Sequence, residues 1–197
     1  MSKKQKPYHH NNLKEALIIR GIQLIHEEGA HNFSLRKLAR EVGVSATACY
    51  NHFENADDLF TAMRNFIADK FEKVLSDAIE ENPCNSVTVS MGCAYVKFFA
   101  SNPHYFTFLF DNQDLGIQIS ETDILCDGSF SPFAVFQKGA KMEMANFNID
   151  ESQLRNDMLI MWASVHGLAA MANVKGFHYD GDWTALTEKL LFEKVKL

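Results

Sequence analysis

The chain has 197 residues, 47% of them hydrophobic and 22% charged, enough for one large domain or two small ones and too apolar for a disordered chain. With 4 Pro and 10 Gly it is neither collagen-like nor low-complexity, and no apolar run approaches the ~18 residues that span a bilayer. The net charge of −6 is uneven: residues 1–55 carry eight basic and five acidic side chains, residues 56–197 carry 11 and 20, and a basic head on an acidic body suits an anionic polymer at one end.

Hydrophobic periodicity predicts helices throughout. In the first, Leu13, Leu17, Gly21, Leu24 and Ile25 recur at helical steps. Asn12 is placed to cap it, with Glu15 as the return half of a capping box, and Gly29 to end it. A second helix starts at Ser34, turns Leu35, Leu38, Ala39 and Val42 inward and stops at Gly43. A third starts at Ser45 and is over by about Phe53. Asn55 caps a long fourth helix, with Asp57 and Asp58 in its first turn and an inner stripe of Leu59, Met63, Phe66, Ile67, Lys70, Val74 and Ala78. Asn82-Pro83 ends it.

Helices follow at about 86–101 and 103–110, the second after Asn102-Pro103. Residues 111–129 hold five acids and no Lys or Arg and read as a connection without a strand. Pro132 opens a helix over 131–147, where its missing N–H does no harm. Asp150 with Gln153 opens another, to about Asn173, and Asp182 opens the last. The expected fold is all-α with about nine helices, divided into residues 1–55 and 56–197 and joined by the helix 56–81.

Residues 33–53, FSLRKLAREVGVSATACYNHF, have the length and punctuation of a helix-turn-helix. Gly43 lets the chain reverse, and Ala39 is small where two helices must approach. The second of the two helices offers Ser45, Ala46, Thr47 and Asn51, small or polar groups suited to a major groove. Ala48 and Phe53 are expected to face the core. Ser34 and Ser45 are read either as helix caps alone or as caps that also touch phosphate, two compatible roles because helix N-termini bind phosphate through free N–H groups.

Residues 8–60 closely resemble the DNA-binding domain of TetR-type transcriptional repressors. The resemblance rests on Tyr8-His9-His10-x-Asn12-Leu13, Glu28-Gly29, Ser34-Leu35-Arg36-x-Leu38-Ala39, Gly43-Val44-Ser45, Tyr50-x-His52-Phe53 and Leu59. It implies a three-helix DNA-binding head and a larger helical body that dimerises and usually receives a small ligand. It also implies DNA contacts by Ser34, Arg36, Ser45, Ala46, Thr47, Tyr50, Asn51 and His52. The sequence departs from the family at Ala56, where a Lys often reaches a phosphate, and at Cys49, where a longer apolar residue is usual. The Lys3, Lys4 and Lys6 arm is an alternative source of the phosphate contact.

Trp162-Ala163-Ser164-Val165-His166-Gly167-Leu168 resembles the Trp-x-x-x-His-Gly signature of one class of TetR-type C-terminal domains. In this body Met91, Tyr95, Phe98, Phe106, Phe110, Met142, Trp162 and His166 are the candidates to enclose a small hydrophobic effector. Leu154, Met158, Met161, Val165, Gly167, Leu168, Leu186 and Leu190 are the candidate dimer interface, with Gly167 allowing close helix approach.

The leading expectation is a homodimeric repressor on a palindromic double-stranded operator, released by such an effector. The alternative is a helix-turn-helix architectural or adaptor protein without an effector. There is no Gly-rich phosphate loop, no Ser/His/Asp elbow and no metal-ligand spacing, so neither an enzyme nor a metal or cofactor site is expected. Cys49, Cys84, Cys93 and Cys126 form no C-x-x-C pair, and the first residues lack the apolar stretch of a secretory signal. Both point to reduced thiols and a cytoplasmic location, with no membrane partner.

Overall fold

The computed structural model describes residues 10–110, 114–121, 123–145 and 150–194. The basic arm, His9 and the last turn of the helix expected to reach 147 lie outside them. Among the described residues there are nine α-helices: α1 (His10–Glu28), α2 (Leu35–Val42), α3 (Ala46–Tyr50), α4 (Ala56–Glu81), α5 (Val87–Ser101), α6 (Pro103–Phe110), α7 (Ser131–Met144), α8 (Glu151–Asn173) and α9 (Trp183–Lys194). The chain divides into two compact units, Met1–Phe66 and Ile67–Leu197.

In the first unit, Leu17, Leu24, Leu38, Cys49, Leu59 and Met63 are wholly or almost wholly buried, and Phe53 closes the core beside them. α1 begins at His10, so Asn12 falls inside its first turn and is not its cap. The other predicted caps form. Ser34 Oγ accepts from Lys37 N at 3.2 Å, Ser45 Oγ from Ala48 N at 3.1 Å and Asn55 Oδ1 from Asp58 N at 2.9 Å. Each satisfies a backbone donor that the first helical turn leaves over. Arg20 ties α1 to α2 through Glu41 at 2.9 Å, and Lys37 pairs with Glu28.

The second unit is built around α5, which packs on α6, α7, α8 and α9. Its N-terminus is held by Ser86 Oγ, which accepts from Val89 N, and by Glu143 Oε2 of α7, which accepts from Thr88 N at 2.6 Å. Gly92 lets neighbours close in: a Cβ there would overlap Leu191 of α9 and stand 3.2 Å from Val165 of α8. The buried stripe of α4 in this unit is Ile67, Phe71, Leu75 and Ala78. The predicted stripe is off by one residue at two turns, where Lys70 is exposed and Val74 only half-buried, and agrees again at Ala78. Phe71 wins the inward place because it joins an aromatic cluster, 4.9 Å from Tyr95, 5.3 Å from Phe98 and 4.8 Å from Phe99.

The connection before α7 corrects the sequence reading, because it contains an antiparallel ribbon, β1 (Ile117–Ile119) and β2 (Ile124–Cys126), in register Ile117 to Cys126. Ile124 is buried, and Gln137 Nε2 of α7 donates to its carbonyl at 2.8 Å. That anchor fixes a strand too short to show any alternation.

Candidate functional site

The helix-turn-helix is made by local chemistry. Gly43 takes φ 77° and ψ 30°, the left-handed region where a Cβ is strained, and its N–H closes α2. Ser45 then opens α3. One face of α3 carries Cys49, with no exposed surface, and leads to Phe53. Cys49 takes the inward place expected of Ala48, which is half-buried. Burial pushes the Cys49 thiol above its usual range, so it packs as a neutral apolar group.

Most of the predicted DNA-binding set is at the surface. Ser34, Arg36, Ser45, Thr47 and Asn51 are exposed, Ala46 and His52 are half-buried, and the Tyr50 side chain is 46% exposed. Two helix N-termini, at Ser34 and Ser45, lie in the same motif as these side chains, a combination suited to phosphate binding.

The body brings most of the predicted effector side chains into one aromatic cluster. Tyr95 is 5.4 Å from Trp162, and His166 is 4.9 Å from Phe106 and 4.7 Å from Phe110 between ring centroids. Tyr95 Oη and His166 Nδ1 are hydrogen-bonded at 2.9 Å. Burial raises the Tyr95 phenol well above its usual range and lowers the His166 imidazole below its own. Both groups are thereby kept neutral. These rings pack on one another. The void bordered by Met91, Tyr95, Trp162 and Val165 is only about 10 Å³, room for a water at most.

The profile of the bacterial regulatory proteins, tetR family, matches residues 13–63, and that of the tetracyclin repressor-like C-terminal domain matches residues 88–193, more than half of the chain. The chain belongs to the TetR family. It is a DNA-binding transcription regulator and not an enzyme. It is 24% identical over 193 residues to the nucleoid occlusion factor SlmA of Shewanella denitrificans, covering 91% of this chain and 95% of that one. It is 20% identical over 158 residues to Rv0681, an uncharacterised HTH-type transcriptional regulator of Mycobacterium tuberculosis, covering 80% and 69%. Its fold matches a protein of unknown function from Rhodococcus sp. RHA1 with a TM-score of 0.72 at 21% identity over 94% and 95% of the two chains. It also matches the fatty acid degradation regulator FadR of Bacillus halodurans, with a TM-score of 0.63 at 16% identity over 98% and 99%.

Within this TetR-family body three sequence readings need correction. Met142 is 52% exposed on α7, because Ala140 and Met144 take the inward positions. It is therefore no part of the aromatic cluster. Among the described residues, the void at Met91, Tyr95 and Trp162 is only about 10 Å³, too small for the drug-sized cavity expected there. Met158 and Val165 are buried within their own chain and offer no surface, whereas Met161, also buried, lines the groove on the outward side of α8.

The outward apolar face of α8 instead carries Ile160, Ala163, Ser164, Gly167 and Met171, with Leu168 and Leu190 beside it along an open groove. Ile160 is 59% and Met171 43% exposed, and neither was singled out from the sequence. Their three- and four-residue spacing through Gly167 was the available signal. A Cβ at Gly167 would meet nothing within 4 Å, so this glycine serves no close approach inside the chain. Leu154 and Leu186 are half-buried.

Proposed function

We propose that the protein is a homodimeric repressor that binds a palindromic operator and is released by a small-molecule effector held in the body. The observation that carries this reading is a pair of exposed surfaces of opposite chemistry. The helix-turn-helix offers polar groups and helix N-termini. The α8 face offers an apolar stripe unusual for solvent.

In this reading Arg36, Tyr50 and His52, with the Ser34 and Ser45 N-termini, hold phosphates. Ala46, Thr47 and Asn51 face base edges, where Thr47 hydrogen-bonds or packs on a thymine methyl. The stripe from Ile160 to Met171, with Leu168, Leu186 and Leu190, pairs with the same stripe of a second copy. That gives an isologous four-helix interface and recognition helices about one turn of B-DNA apart. The effector favours a dimer geometry that no longer fits successive major grooves. In this reading the body is of the Trp-x-x-x-His-Gly class, which Trp162, His166 and Gly167 support, and the protein acts in the cytoplasm.

Selection of bound duplexes from a random pool tests the reading. An inverted repeat with two equivalent half-sites is expected, and a single asymmetric site bound by a monomer overturns it. The second reading, an adaptor without an effector, is favoured by the packed aromatic cluster.

A further inference from the structure

Among the described residues, the body has open space on the far side of Phe98 from the aromatic cluster's Tyr95–His166 pair. A groove of about 590 Å³, within the ~300–1,000 Å³ range of ligand pockets, runs along another face of α5 between the end of α4 and the start of α9. Its apolar floor is Val74, Ala78, Ala94 and Phe98. Asp77, Glu81 and Glu188 supply three carboxylates, against one ammonium, Lys97.

Lys73 pairs with Asp77 at 2.9 Å, but that lysine side chain is 74% exposed, and an ion pair so wet neutralises little. The acidic side chains also bear on two neighbouring groups. The Cys93 thiol, buried at the groove wall, is pushed up to about 12 by burial first and then by Cys84, Glu188 and Asp182. Lys73 is held above its usual range by Asp77 first, with Glu80 and Glu81 adding to it.

We infer that this groove binds a lipophilic organic cation, its aromatic or aliphatic body on Ala94 and Phe98 and its charge between Glu81 and Glu188. An anion of the same shape meets three carboxylates there, and a sugar finds too few polar partners over the apolar floor. The inference rests on the effector reading only for its consequence, release of DNA; binding itself stands apart.

The test uses the full chain and two isosteric probes of opposite charge, tetraphenylphosphonium and tetraphenylborate, in titration calorimetry. Tetraphenylphosphonium is expected to bind at least tenfold tighter than tetraphenylborate and to weaken with salt. Ala94→Trp, which fills the groove, should abolish binding. The exposed pair Glu81→Gln with Glu188→Gln, which leaves the fold intact, should weaken it at least fivefold and remains readable if Ala94→Trp does not fold. Equal binding of the two probes, or cation binding unchanged in the Gln pair, overturns the inference. Cation binding that leaves the DNA complex intact supports the groove and defeats the effector reading. DNA release that persists after the Gln pair has lost the cation places the effector elsewhere and overturns the groove as the regulatory site.

Discussion

The phenol oxygen of Tyr95 on α5 meets Nδ1 of His166 on α8 at 2.9 Å, inside a shell of Phe106, Phe110 and Trp162 rings. It joins two helices of the body by a polar bond between side chains set among aromatic rings. In such surroundings a hydrogen bond contributes little net, but removing one partner leaves the other unsatisfied.

Tyr95→Phe should therefore destabilise the protein by about 1–3 kcal/mol, with a Tm lower by roughly 2–4 °C per kcal/mol. Thermal unfolding followed by circular dichroism measures it. An unchanged Tm would mean that the pair contributes nothing.

Stability should also fall in mild acid. Burial lowers the His166 pKa below its ordinary 6.5, so the unfolded chain binds the proton more readily than the folded one. The contribution of neutral His166 is complete above 6.5, declines as pH falls below that value, and is lost once the lower folded pKa is passed. His166→Gln should flatten this part of the pH–stability curve from urea unfolding. An unaltered slope would remove His166 as its source.

For DNA, Arg36→Ala and Tyr50→Phe should weaken binding to all sequences alike. Only the arginine change should reduce the salt slope, by about one, because only it releases a counterion. Thr47→Ala should instead cost about 1–3 kcal/mol at the preferred operator and relax the selected sequence. Fluorescence anisotropy across a salt series separates the three.

Ser45 has a separable double role. Ser45→Ala removes the cap on α3 and should cost about 1 kcal/mol of stability. Ser45→Asp keeps an acceptor for Ala48 N but sets a negative charge against phosphate. It should retain the Tm and lose operator affinity. Intact affinity in Ser45→Asp would leave this residue a cap and nothing more.

Gly167→Leu and Ile160→Asp should leave the monomer folded, since a Cβ at Gly167 meets nothing and Ile160 is largely exposed. Both should shift the dimer toward monomer by at least tenfold in sedimentation equilibrium. Val165→Ala, a core change, should lower the Tm by the equivalent of roughly 0.5–1.5 kcal/mol and leave the association constant unaltered.

Much of the head follows from the sequence alone. The caps at Ser34, Ser45 and Asn55, the left-handed Gly43 and the exposed recognition set depend on groups three or four residues apart, and a helix end obeys local chemistry. The caps of α8 and α9 at Asp150 and Asp182 were legible for the same reason. The body was decided by packing. α4, α5 and α8 are apolar on more than one side, so periodicity could not say that Phe71 faces in and Lys70 out. Nor could it say that Val165 belongs to the core and Ile160 to the surface. The place of the empty space was equally out of reach. A cavity is the small difference between the volume enclosed by several helices and the side chains that fill it, and only their relative positions decide that the aromatic cluster closes while the acidic groove stays open.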